Sequence, residues 1–403
     1  MKHYLWNRFI LCVLRYTAGP FVKLIMGYRC QRNKGPDVPS LIISNHNTNL
    51  DPALISIGFS RHIYFLTSEH ALRNGFPSKV LNFVFAPIPI NKTQTDIVSI
   101  KEIIRRLRAG ANVCLFAEGD RSFTGKTSPI TLSTAKLART CGADLITYRI
   151  EGGYFTSPRW SKSMRKGEMS GGIVNKYSAA ELKTMTDTQV HEAIKRDIHE
   201  DAYEAQKVNP IRYRGKNIAE HIETALYLCP GCNRIGTIRS EGSHFFCDCG
   251  LSATYVETGF LEGEALPFST ITDWGKWQEE QLERIVSNAG YEPICTDEDQ
   301  QLFKVRTATE KTLVGEGTMR IYREVFHCAG VTFPMREITR FAVVGQMTLL
   351  FASKDGATYE VRSPAPRSAL VYRDIFRILL RQANEVSTSA TASLADSPRF
   401  GGA

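Results

Sequence analysis

The sequence predicts an α/β protein: strands and helices alternate around a mainly parallel sheet, and a cysteine-bearing unit and a small mainly-β domain with a C-terminal helix follow. Three observations predict it. Between residues 40 and 150, short apolar runs alternate with helix-period segments. Residues 229–250 carry four cysteines in two tight pairs. Residues 301–362 read as successive strands, with one helical stretch after them. The expected segments are 1–35, a basic amphipathic stretch; 36–215, the α/β domain; 224–256, the cysteine unit; 257–386, a mixed segment and the β domain; and 387–403, a small polar tail expected to be disordered.

The N-terminal segment is apolar, aromatic and basic. No acid precedes Asp37, while Lys2, Arg8, Arg15, Lys23, Arg29, Arg32 and Lys34 all do. These seven carry most of the formal net charge of +9. Basic character this local asks for a local anionic partner. Its charge-free apolar runs fall well short of the roughly 18 residues a spanning helix needs. Arg8 and Arg15 lie seven apart and share a helix face, so the stretch predicts a basic amphipathic helix, broken near Gly19-Pro20. It would lie on a membrane surface or dock on its own protein, and the missing acids favour the membrane surface.

The α/β elements follow in order. Leu41–Ile43 reads as a strand, Pro52–Phe59 as a helix, Ile63–Thr67 as a strand and Lys79–Phe85 as a short helix. Thr95–Ala109 is expected to be a helix with Ile97, Ile100, Ile104 and Leu107 on one face, stopped by Gly110. Asn112–Ala117 is a buried strand, Ser133–Cys141 a helix and Asp144–Ile150 a strand. A strand near Gly171–Val174 and one helix over Asp187–Ala205 complete the domain.

The stretch "SNHNTNLD", residues 44–51, is polar where a core would be apolar. Pro52 suits a first helical position, which makes Asp51 the expected N-cap and puts His46 in the strand–helix turn. That turn lies at the carboxyl edge of the sheet, where α/β folds bind ligands. Two readings stand. Asp51 only caps the helix, or its carboxylate orients the His46 imidazole and raises its basicity. Three further segments fall nearby: "APIPINK" with Lys92, "FAEGDRSFTGK" just past the buried strand, and "DLITYRIEGGY".

Taken together, N-H-x4-D at 45–51, the Pro/Ile segment ending in Lys92, and F-x-E-G-x-R-S at 116–122 resemble the glycerolipid acyltransferases, in particular the 1-acylglycerol-3-phosphate branch. The resemblance covers about residues 5–210. It implies transfer of a fatty acyl group from acyl-CoA or acyl carrier protein to the hydroxyl of a lysophospholipid, most naturally 1-acylglycerol-3-phosphate, in phospholipid biosynthesis. It implies His46 as general base, Asp51 as its orienter, and no covalent acyl-enzyme. Lys92, Glu118, Gly119, Arg121 and Ser122 would form the acceptor site, with Arg121 on a phosphate. The chemistry fits independently, because a thioester needs a deprotonated oxygen nucleophile and a base near neutral pKa. The chain departs from the family pattern at Ala117, Asp120, Lys92 and Leu145–Tyr148, where proline, threonine, arginine and proline are usual. Arg149, Arg159 and Arg165 could supply anion contacts instead, or form a solvated basic loop. The alternatives are another lipid acceptor (a different lysophospholipid, an aminolipid or a glycolipid), or a catalytically degenerate lipid-binding scaffold.

Cys229-x2-Cys232 and Cys247-x-Cys249 have the spacing of a zinc ribbon's two knuckles. Four cysteine ligands close the coordination shell, so the zinc would be structural. Cys12, Cys30, Cys114, Cys141, Cys295 and Cys328 are expected to pack as small apolar residues. The ribbon's two arginines and two aromatics make a thin footprint for nucleic acid. The strands of 301–362 and a helix at Arg367–Ala383 suggest a pleckstrin-homology-like barrel. No secretory signal is legible. A reducing compartment, and the cytoplasmic face of a membrane held peripherally or monotopically, are expected.

Overall fold

The computed structural model describes residues 4–30, 38–68, 83–90, 97–307 and 310–395. Its first element is a helix, α1 (Tyr4–Met26). Then come β1 (Tyr28–Cys30), β2 (Ser40–Ser44), α2 (Asp51–Gly58), β3 (Ile63–Ser68), β4 (Ile88–Ile90), α3 (Ile97–Arg108), β5 (Asn112–Phe116), α4 (Leu132–Thr140) and β6 (Asp144–Glu151). The domain closes with α5 (Gly153–Thr156), β7 (Met169–Tyr177), α6 (Ala179–Thr184), α7 (Asp187–Ile198) and α8 (Ala202–Val208). Its seven-stranded sheet has the order β1-β7-β6-β2-β5-β3-β4. All pairs are parallel except β6 with β7.

Every residue of β2 is buried, as expected for a central parallel strand covered on both faces. Leu41 and Ile43 enter one core with Val113, Leu115 and Leu145; Ile42 enters the other with Cys114 and Ile146. This is the two-residue period of a strand. Registers Ser44↔Phe116 and Ser44↔Tyr148 bring the carboxyl ends of β2, β5 and β6 to one level.

Several expectations differ from the structure. The helix α1 runs unbroken through Pro20. Pro20 and Tyr16, the residue whose carbonyl it cannot bond, both face solvent, where water can replace the lost bond. The buried face of α3 is Ser99, Ile103 and Leu107, while Ile97 and Ile100 are exposed. The helix expected over 187–205 is two helices, α7 and α8, parted at His199–Asp201 because Asp201 caps α8 through Glu204 N. Lys92 and most of the helix expected at 79–85 lie outside the described residues.

Beyond residue 224, β8 (Ile238–Glu241), β9 (His244–Cys247), β10 (Ser252–Tyr255) and β11 (Leu261–Glu262) form an antiparallel sheet beside the cysteine pairs. The helix α9 (Ile271–Ser287) follows. Then β12 (Cys295–Val305), β13 (Lys311–Ile321), β14 (Val325–Cys328), β15 (Val331–Pro334), β16 (Ile338–Val344), β17 (Thr348–Ser353) and β18 (Thr358–Arg362) make a seven-stranded antiparallel sheet. The last helix, α10 (Ala369–Ala395), continues into the stretch where disorder was expected. One core joins Phe123, Tyr154, Trp160 and Tyr203 of the first domain to Trp274, Phe341 and Tyr372 of the second. Among the described residues no helix is long and apolar enough to cross a membrane.

Candidate active site

The level strand ends of β2, β5 and β6 put three turns side by side. The first carries His46 and leads into α2. Asp51 is not the N-cap of that helix; Leu50 is, and it makes no side-chain cap bond. Asp51 is the first helical residue, and its wholly buried carboxylate turns back into the loop. Its Oδ2 accepts from His46 Nδ1 at 2.9 Å, Asn47 N at 2.7 Å and Thr48 N at 2.9 Å. Its Oδ1 accepts from Thr48 Oγ1 at 2.7 Å. A carboxylate so surrounded by donors accepts a proton bond from Nδ1, which puts the imidazole lone pair on Nε2. The ring is stacked on Phe116, with centroids 4.0 Å apart and planes at 14°.

The second turn follows β5. Gly119, at φ +70°, reverses the chain there, in the left-handed region a glycine enters at low cost. Glu118 accepts from His46 N at 2.8 Å and from Ser128 N at 2.6 Å, so it holds the backbone of both turns. Burial pushes its carboxyl up to about 7, against the opposing effect of those two donors. Ser122 Oγ accepts from Thr124 N at 3.2 Å and Gly125 N at 3.0 Å and shapes the following loop. Arg121 is nine-tenths buried, and among the described residues none accepts a hydrogen bond from its guanidinium or forms a salt bridge with it. Burial and the nearby Arg159 charge lower it to about 10, so it remains a cation at neutral pH. A cleft of about 2500 Å³ is lined by His46, Glu118, Arg121 and Ser122 on one side. Glu279 of α9, Arg340 of β16 and Arg373 of α10 line the other.

Residues 28–151 match the family described as Acyltransferase. The chain therefore carries an acyltransferase domain. None of the curated proteins matches the chain. Among thirteen matching solved chains is the 1-acyl-sn-glycerophosphate (LPA) acyltransferase PlsC from Thermotoga maritima, at 19% identity. The match covers 48% of this chain and 80% of that one, with a TM-score of 0.39.

Sequence reasoning missed a residue of the acyltransferase domain that the structure brings beneath the His46 turn. Glu200, at the α7–α8 break, accepts from Asn45 Nδ2 at 3.0 Å, Asn47 Nδ2 at 2.6 Å and Gly152 N at 3.0 Å. Asn45 also bonds both backbone atoms of Ile150. The third turn is thereby tied to the first. A Cβ on Gly153 would stand 2.7 Å from Asn47 Cβ, so the approach requires glycine. Burial pushes Glu200 up to about 8. Asp201-x-x-Glu204, a helix-start pattern, was the available signal for the break.

Neither reading of the basic loop survives for two of its arginines. Arg159 and Arg165 are 2% exposed, neither solvated nor open to an anion. Arg165 lies against Trp160 and Tyr255 and donates to Ile218 O. Arg149 pairs with Glu151 at 2.9 Å. Elsewhere, the four cysteine Sγ atoms at 229, 232, 247 and 249 all lie within 4.8 Å of one another and could hold a metal ion.

Proposed function

We propose that the protein transfers a fatty acyl group from a thioester, acyl-CoA or acyl carrier protein, to the hydroxyl of a lysophospholipid, with 1-acylglycerol-3-phosphate the acceptor its motifs fit best. The observation that carries this reading is the 2.9 Å His46–Asp51 bond. Asp51 is wholly buried, and His46 opens on the same cleft as Arg121, whose guanidinium has no acceptor or salt-bridge partner among the described residues. Held by Asp51, the imidazole takes the acceptor's hydroxyl proton at Nε2 while the oxygen attacks the thioester carbonyl. The tetrahedral adduct then expels the thiolate, which recovers the proton from the imidazolium. Products are the new oxygen ester and a free thiol. Arg121 holds the acceptor's phosphate, and Glu118 positions His46 through its backbone. Leu66, Ile90, Ile103, Leu115 and Leu137 give the cleft an apolar lining suited to an acyl chain.

Two further parts belong to the reading. Sγ pairs at 3.6 Å (Cys229–Cys249) and 3.8 Å (Cys232–Cys247) fit the edge of a tetrahedral zinc site, about 3.8 Å for Zn–S bonds of about 2.3 Å. A zinc ion there would cross-link the ribbon and take no part in acyl transfer. The stripe Trp6, Phe9, Val13, Tyr16 and Leu24, exposed along α1, suits a peripheral seat in a lipid surface. The test is thiol release from acyl-CoA and from acyl carrier protein against a panel of lysolipids, aminolipids and glycolipids. Release that requires one lysophospholipid supports the proposal and names the acceptor. Release with none of the panel, from folded protein, overturns it.

A further inference from the structure

The residues beyond 224 do not trail the acyltransferase domain; they are bonded to its functional loops. Thr272 Oγ1, in the first turn of α9, donates to Thr124 O at 2.8 Å, within the loop that follows Arg121. Tyr203 OH donates to Gly259 O at 3.0 Å, and Tyr213 N to Glu257 O at 2.7 Å. Gln346 Nε2 donates to Ser161 O. The strongest link is Arg159. Its Nη1 donates to Arg121 O at 2.9 Å, its Nη2 to Val343 O at 2.7 Å, and its Nε to Gly345 O at 3.0 Å. Val343 is the penultimate residue of β16, and Gly345 opens the turn after the strand. The same guanidinium meets Asp120 Oδ1 at 3.2 Å and lies 4.2 Å over the Phe123 ring.

This arrangement accounts for Asp120, the acid that stands where the related enzymes usually have threonine. Its salt bridge runs to Arg159 and leaves the Arg121 guanidinium for something else. Arg121 feels the charges of Asp120 and Asp51 yet makes a salt bridge with neither, so its guanidinium is available to an anionic ligand in the cleft. The Arg159 guanidinium, by contrast, is wholly spent on protein carbonyls and the Asp120 carboxylate.

We propose that residues 224–395 form part of the acyl-acceptor site, and that Arg159 is the positioning residue through which the end of β16 and its turn set Arg121 for an anionic headgroup. This rests on the reading of Arg121 as the phosphate contact. On this view the second module selects the acceptor by fixing the backbone that carries the phosphate-binding cation. Placement by a rigid fork is not reproduced by lysine, which offers one nitrogen where Arg159 uses three.

The test uses the full chain with acyl-CoA, comparing lysophosphatidate with its phosphate-free counterpart, monoacylglycerol. Wild type, Arg121→Met, Arg159→Met and the milder Arg159→Lys are measured for kcat, KM and melting temperature. The expected result is that both Arg159 variants follow Arg121→Met. The preference for lysophosphatidate over monoacylglycerol falls on the order of tenfold, through KM for lysophosphatidate rather than through kcat. Arg121→Met losing the phosphate preference while Arg159→Lys keeps it overturns the positioning role and leaves the proposed function intact. A loss by Arg159→Lys that is equal for both acceptors and parallels its melting temperature also overturns it. Arg121→Met keeping the preference, or wild type transferring to neither acceptor, overturns the underlying reading and this inference with it.

Discussion

At the scale of single residues, burial rather than residue type decides what a charged group does. His46, Asp51, Glu118 and Arg121 were legible because their order and spacing form motifs. Asp51 was expected at the helix N-cap, and the donors crowded around it pull its carboxylate into the turn instead. Arg159 and Arg165 could not be read, since their partners come from residues 218, 255, 343 and 345, far along the chain. Glu200 was hidden inside a stretch that reads as one helix. Its raised carboxyl has a thermodynamic consequence. The unfolded chain releases that proton near 4.5 and the folded chain near 8, so between those values the unfolded state binds fewer protons. The stability that this group contributes is fully present below about 4.5 and is lost as pH rises through about 8; Glu118, raised to about 7, contributes in the same direction. Glu200→Gln should flatten this slope in urea melts across that range. It should also cost about 1–3 kcal/mol at pH 5, because its amide meets the amide nitrogens of Asn45 and Asn47. An unchanged slope would mean that Glu200 titrates normally.

At the scale of elements, periodicity carried most of the information. The short apolar runs 41–43 and 113–116 are strands, since a strand covered on both faces is apolar at every position. Periodicity misjudged α3, where Ile97 and Ile100 match the helical repeat yet lie in solvent, with Ile100 lining the cleft. Pro20 does not break α1 because the bond it forfeits lies on a wet face. The exposed stripe of α1 makes its own prediction. Trp6→Ser with Phe9→Ser and Tyr16→Ser should cut binding to anionic phospholipid vesicles about tenfold or more, as read by co-sedimentation, and leave the melting temperature within a few degrees. Unchanged sedimentation would show that this face serves a different purpose.

At the scale of the whole molecule, two modules share one core and one cleft. The cysteine spacing foretold four thiols brought together where they could hold a metal ion, but nothing local in the sequence signalled that β16, α9 and α10 would face His46, because that pairing depends on side chains more than 100 residues apart. If zinc ties the cysteine strands together, chelation should lower the melting temperature by more than about 10 °C and release one metal ion per chain. It should also reduce acyl transfer, since the metal-bearing strands pack into the shared core.

The proposed role of His46 is tested most directly by thiol release from the acyl donor, followed in the first turnover with and without the acceptor, for wild type, His46→Ala and Asp51→Asn. A base that deprotonates the acceptor hydroxyl makes release depend strictly on acceptor. It also makes folded His46→Ala slower by about 100- to 10,000-fold, with Asp51→Asn between the two. A burst of one thiol per chain without acceptor would reveal an acyl-enzyme instead, and undiminished turnover by His46→Ala would place the base elsewhere.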